Sequence, residues 1–217
     1  MKTLTEKEAR EANGMTHPAI LPRAFQLDLH LPANHEIQDI VNDYGLQSFY
    51  MRETYCDKYS YALITKDFIE DLTGIIGGKT AIEVAAGPGW LSYWLRKRGA
   101  RVILTTDNMS WHKNEERIFA PGITKGDAAE TVLKTNTDFV ILSWPYMDKM
   151  ASKIWEAMAP GQKMVYIGEG EGGCCADDTF FSMVLASDEE GLNWEKRVKS
   201  LLQWQGLHDR CHVLEKK

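Results

Sequence analysis

The stretch Ala81-Ile82-Glu83-Val84-Ala85-Ala86-Gly87-Pro88-Gly89-Trp90 constrains this chain most, because it runs an apolar strand directly into a glycine turn and then into a helix. Gly87-x-Gly89-x-x-Ser92 meets the demands of a loop that seats a nucleotide-like ligand: a tight turn, close backbone approach, and a small residue where helix meets sheet. Asp107 ends the next apolar run, Arg101 to Thr106. It stands close to the spacing of about 20 residues at which an acidic side chain accepts hydrogen bonds from ribose hydroxyls.

The 217 residues, 44% of them hydrophobic, suffice for one sizeable core and are too few for two ordinary domains. The expected organisation is a helical extension or lid over residues 1–76 and a ligand-binding α/β core over 77–217. A net charge of −6 supplies no general field for phosphate backbones, and Lys196, Arg197 and Lys199 read as a solvated face. Nucleic acid is therefore disfavoured as a partner and a small molecule is favoured. Cys56, Cys174, Cys175 and Cys211 show no C-x-x-C spacing, and the N-terminus carries no apolar signal region. A cytoplasmic protein without metal is the expectation. No run approaches the ~18 apolar residues of a membrane span.

Along the chain, Thr5 and Glu8 have capping-box spacing for a polar helix over residues 3–14, with Asn13-Gly14 as its stop. Pro18, Pro22 and Pro32 then mark irregular structure before a helix around Glu36 to Tyr44. Phe68, Ile69, Leu72, Ile75 and Ile76 recur at helical spacing, predicting a helix from Thr65 to Ile75 that Gly77-Gly78 ends. From Thr80 the pattern alternates: a strand at 80–84, a helix at 89–98, a strand at 101–105, and a weaker strand around Ile123. A buried strand at 138–143 follows, then a helix marked by Met150, Ile154 and Met158, a strand at 163–168, and a helix at 177–186. Ser200 to Trp204 and Cys211 to Glu215 read as a closing antiparallel pair.

Glu83-x-Ala85-x-Gly87-x-Gly89 resembles the cofactor loop of class I S-adenosylmethionine-dependent methyltransferases, with Ala85 in place of the first glycine. The resemblance runs from about Thr80 to the C-terminus. It implies a three-layer Rossmann-like α/β fold, a mostly parallel sheet with a C-terminal antiparallel strand, and S-adenosylmethionine as cofactor. It also implies that Glu83, Ala85, Gly87, Gly89 and Asp107 hold the donor, and that Asp127 and Ala128, in Gly126-Asp127-Ala128-Ala129, contact adenine. A second segment, Ser143-Trp144-Pro145-Tyr146, stands at the carboxyl end of a buried strand, where open α/β sheets place their chemistry. It resembles the Asn/Asp/Ser-Pro-Pro-Tyr/Phe motif of amino-group methyltransferases, with Trp144 in place of the first proline. The likeness assigns Ser143, Pro145 and Tyr146 to the acceptor and Ser143 also to the donor site. Tyr59 and Tyr61 resemble a donor-site segment of a little-characterised set of methyltransferase-like proteins.

The expected reaction is in-line transfer of a methyl group to nitrogen of a small or planar acceptor, where positioning supplies most of the acceleration. An oxygen acceptor needs a base, for which Glu169, Glu171 and His208-Asp209 are candidates. Three alternatives stand beside this reading: a nucleic-acid base methyltransferase, a donor-binding protein without catalysis, and a nicotinamide oxidoreductase.

Overall fold

A computed structural model describes residues 21–43, 45–110, 117–187 and 198–217. The helix expected over 3–14, together with Pro18, Tyr44, Lys196 and Arg197, lies outside the described residues.

The apolar runs form one six-stranded sheet in the order β3-β2-β1-β4-β5-β6. Its strands are β1 (Thr80–Val84), β2 (Arg101–Asp107), β3 (Thr124–Lys125), β4 (Phe139–Ser143), β5 (Lys163–Gly168) and β6 (Arg210–Glu215). All neighbours are parallel except β6, which runs antiparallel to β5 and pairs Cys211 with Ile167 and Leu214 with Met164. This is the Rossmann-like arrangement with a final antiparallel strand. Strand order reverses between β1 and β4, so a crevice opens at their carboxyl ends.

Period-two alternation divides the strands between two cores. Ala81, Val102, Phe139, Ile141, Val165 and Ile167 face one side, while Ile82, Val84, Val140, Leu142, Met164 and Tyr166 face the other. The first side is covered by α1 (Asn34–Val41), α2 (Leu46–Lys58), α3 (Lys66–Ile76) and α4 (Trp90–Lys97), through Ile37, Tyr55, Phe68, Leu72 and Leu95 among others. The second is covered by α5 (Ala128–Lys134), α6 (Met150–Ala157) and α7 (Asp178–Ser187), through Val132, Trp155 and Phe180. Each fully buried side chain of this size stabilises the fold by about 1.5–3 kcal/mol. Residues 21–76 thus share one continuous core with the sheet.

Two helices escaped the sequence pattern for identifiable reasons. The buried face of α2 carries Ser48 and Thr54, whose hydroxyls donate to the carbonyls of Ile40 (2.8 Å) and Tyr50 (2.9 Å), so its apolar stripe is interrupted. The start of α5 reads as a Gly-Asp turn, yet Asp127 caps it by accepting the Glu130 N–H at 2.9 Å.

The closing pair is a correction. Cys211 to Glu215 is a strand, but its partner is β5, and residues 200–204 form no strand. Trp204 instead inserts as a buried plug, stacked on Phe25 at 5.3 Å and edge-on to Tyr55 at 5.9 Å. Its burial is what made this segment look like a strand.

Candidate functional site

The reversal point of the sheet opens into a cavity of about 650 Å³, bounded by the glycine turn after β1, the ends of β2 and β4, and the C-terminal end of α2. The turn is built from left-handed backbone: Ala85 has φ 50°, Gly87 54° and Gly89 82°. At Ala85 this conformation costs about 1–2 kcal/mol relative to glycine. Gly89 opens the helix at φ 82°, a left-handed conformation that residues with a side chain rarely adopt, whereas a Cβ there would reach Ile123 only at 3.4 Å.

The amides of this turn are already taken. Ala86 N–H donates to the Thr106 carbonyl (3.0 Å), Gly87 N–H to Asp107 Oδ2 (2.9 Å) and Gly89 N–H to the Ala86 carbonyl (3.0 Å). Ser92 N–H, one of the orphan donors of the first turn of α4, donates to Glu83 Oε2 at 3.0 Å. Glu83 is therefore a buried brace beneath the turn. Burial pushes its pKa up to about 7, against the pull of Ser92 and of the nearby Arg96 guanidinium. Asp107 uses its other oxygen to accept the Met109 N–H at 2.7 Å, which fixes the end of β2, and it still lines the cavity.

Across the cavity stands a wall of rings. Tyr61 and Trp144 stack with centroids 5.1 Å apart and planes 21° off parallel, and Tyr146 lies beside them in the lining. Trp144 explains its own departure from the proline motif: its φ is 51° and its N–H donates to the Ile167 carbonyl at 2.7 Å. Proline is fixed near φ −65° and has no N–H, so neither feature is open to it. Arg117 also lines the cavity, with a buried Nε that has no hydrogen-bond partner.

Of the residues singled out in the sequence, Tyr59, Tyr61, Glu83, Ala85, Gly87, Asp107, Asp127, Ala128, Ser143 and Tyr146 line this cavity. Gly89, Pro145 and Glu169 do not. Gly89 sits behind the turn, and the Pro145 carbonyl accepts the Ala176 N–H at 3.1 Å. Glu169, expected as a base, is committed elsewhere: its carboxylate accepts the N–H groups of Cys174 (2.7 Å) and His208 (3.0 Å). Burial opposes its charge, but those amides outweigh it and hold the pKa below the ordinary value. The glycines of Gly168 to Gly173 serve this wrapping, since a Cβ on Gly173 would lie 2.5 Å from that of Glu169. Tyr59 turns its hydroxyl to Asp28, tying the N-terminal segment to the cavity's edge.

No family model matches the sequence, and no curated protein matches it. Among solved structures the chain is similar to a mutant of MtNAS in complex with S-adenosylmethionine, at 11% identity over 84% of this chain and 70% of that one, with a TM-score of 0.44. It is similar to TehB from Haemophilus influenzae at 14% identity, over 76% and 67% of the chains, with a TM-score of 0.43. A tRNA methyltransferase of B. subtilis, TrmK, aligns at 12% identity over 69% and 65%, with a TM-score of 0.42. These are likenesses of chain path; the chemistry of the site rests on its own residues.

Sequence reasoning missed Arg117, Trp90 and the rim residues Lys149 and Lys153. Arg117 reaches the cavity because the residues after it are stitched to the site: Ile118 N–H donates to Lys58 (3.1 Å), Trp90 Nε1–H to the Ile118 carbonyl (2.6 Å) and Ala120 N–H to Pro88 (2.8 Å). No local pattern announces such a strap. Among the described residues no helix is long and apolar enough to cross a membrane.

Proposed function

We propose that the protein is a methyltransferase that takes S-adenosylmethionine in this cavity and transfers its methyl group to nitrogen of a small planar acceptor. The observation that carries the reading is the set of carboxylates that the cavity presents, Glu83, Asp107 and Asp127, around a glycine turn whose Gly87 and Gly89 amides are already donated. A pyrophosphate needs bare N–H groups at a helix N-terminus. Here Ala86, Gly87, Gly89 and Ser92 have already donated theirs, and Glu83, Asp107 and Asp127 line the cavity instead. Such a surface suits a cation and sugar hydroxyls, and it fits a nucleoside that carries a sulfonium and an amino acid tail.

In this reading Asp107 faces the ribose, Asp127 and Ala128 the adenine, and Tyr59, Tyr61, Ala85 and Gly87 the amino acid end, with Glu83 bracing the turn and Gly89 allowing it to close. The donor supplies an already activated methyl group, so the chain's task is orientation and exclusion of water. Ser143 offers an acceptor oxygen for an N–H at the end of β4, Pro145 stiffens the turn that follows, and the stacked Tyr61–Trp144 pair with Tyr146 offers a planar group an aromatic wall. A neutral amine needs no general base, which agrees with Glu169 being held away from the cavity.

The test is isothermal titration with S-adenosylmethionine, S-adenosylhomocysteine and NADH. Saturable one-to-one binding of the first two and none of NADH is expected. Folded protein that takes neither sulfur compound removes the assignment. A nucleic-acid base is the second acceptor class, favoured by the exposed Lys149 and Lys153 at the rim. A gel shift that weakens steeply with salt establishes it.

A further inference from the structure

Behind the ring wall lie two buried polar side chains without a hydrogen bond. The Trp144 indole Nε1 and both carboxyl oxygens of Asp209 lack hydrogen-bond partners, and Asp209 is only 2% exposed. Trp144 N–H is bonded to Ile167, which pairs with Cys211 two residues beyond Asp209, so the register brings Trp144 and Asp209 to the same end of β5 and β6; burial raises the Asp209 pKa and the Trp144 indole opposes that rise. Leaving a buried acceptor of this kind without a donor is destabilising, and more so when it is ionised. Elsewhere the same segment is tightly bound: Gln203 Nε2–H donates to the Asp209 carbonyl at 2.6 Å, and β6 begins at the next residue.

Trp144 has little freedom left apart from this edge. Its backbone is held left-handed and bonded to Ile167, and one face of its ring is covered by Tyr61. The edge that carries the N–H is the part not yet fixed, and among the described residues the Asp209 carboxyl interacts with it. We propose that Asp209 is a positioning residue of the acceptor wall: its carboxyl receives the Trp144 indole N–H and sets the angle of the Trp144–Tyr61 pair against which a planar acceptor is held. The function of that angle rests on the methyltransferase reading; the contact itself does not.

The surroundings of Asp209 make the contact sensitive to proton uptake. Facing it are Glu169 from the turn after β5, Tyr166 on β5, Cys175 from the following turn and Cys56 on α2. Burial raises its pKa to about 7, and the negative charge of Glu169 adds to the rise. A charged acceptor makes a hydrogen bond roughly twice as strong as a neutral one. The hold on the indole therefore tightens as pH rises through this range.

The experiment is an indole ¹⁵N–¹H spectrum of the full chain followed over pH, with the Trp144 signal identified by its loss in Trp144→Phe. The expected result is a Trp144 shift with a midpoint near pH 7, flat in Asp209→Asn, while the other indoles behave alike in both proteins. A Trp144 signal that does not move, or that moves equally in Asp209→Asn, overturns the proposal. A second measurement needs no variant: side-chain ¹³C signals of aspartate in the native protein must include one carboxyl that titrates with the same midpoint, and its absence overturns the proposal equally. Adding S-adenosylhomocysteine to the same samples separates the two ideas. No binding sinks the methyltransferase reading and leaves the Trp144 titration standing, whereas binding with a static Trp144 sinks the positioning role alone.

Discussion

The two sides of the cavity are built on opposite terms. On the side of the glycine turn every carboxylate is locked by backbone: Glu83 by Ser92, Asp107 by Gly87 and Met109, Asp127 by Glu130. On the side of the rings, Trp144 Nε1, Arg117 Nε and the Asp209 oxygens are buried with no hydrogen bond. The first side is preorganised, its shape fixed before any ligand arrives. The second is held by stacking and leaves polar groups waiting, which is where a second ligand can still alter the structure. A constant donor and a chain-specific acceptor would be served by this division.

Acid–base behaviour offers the largest effect with which to break that contrast. Glu83 and Asp209 both have folded-state pKa values pushed by burial to about 7, above the ordinary carboxylate range. Between that range and about pH 7 the folded state keeps protons that the unfolded state releases, so stability falls as pH rises through this window. Each group accounts for roughly 3–4 kcal/mol of the loss. Thermal melts from pH 5 to 8 should show the decline. Asp209→Asn should flatten it and raise stability at the alkaline end, because the amide oxygen can still receive the Trp144 indole N–H while the cost of burying a charge is removed. Glu83→Gln should flatten it without that gain, because the amide is a poorer cap for Ser92. Equal gains in both variants would erase the distinction between the two sides.

Next in size is Asp107→Ala, which frees the amides of Gly87 and Met109. Affinity for S-adenosylhomocysteine should fall at least about tenfold, near 1.4 kcal/mol, with a loss of about 1–3 kcal/mol in denaturant-measured stability. Wild-type affinity in this variant would mean that the turn does not depend on its anchor. Tyr61→Ala removes the stacking partner of Trp144 and a side chain at the donor's amino acid end; it should cost about 0.5–1.5 kcal/mol of stability and weaken donor binding by up to about tenfold. Unchanged donor binding would leave Tyr61 to the ring side alone. The smallest effect is Ala85→Gly, which relieves left-handed strain while loosening the unfolded chain; a net change within about 1 kcal/mol is expected.

How far the sequence showed these features follows from the range over which each is encoded. The strand, turn and helix from Thr80 to Lys97 are written in adjacent residues, and so is Asp107, one strand further on. The α2 helix was hidden because hydroxyls on its buried face bond to nearby carbonyls and break the apolar stripe. Trp204 reads as strand because an aromatic plug and a strand both leave an apolar run. Glu169 and Asp209 show the limit for the site: both are acidic residues near the ring wall in the fold, yet two distant amides fix one and none reaches the other. Such differences depend on contacts across the tail and β5, which no local spacing carries.

The most direct measurement is a crystal structure of the protein with S-adenosylhomocysteine. The account predicts the nucleoside against Asp107, Asp127 and Ala128, with the glycine turn unmoved and the sulfur directed toward Ser143 and the Trp144–Tyr61 pair. A ligand seated outside this cavity, or one whose sulfur points away from the rings, would contradict it.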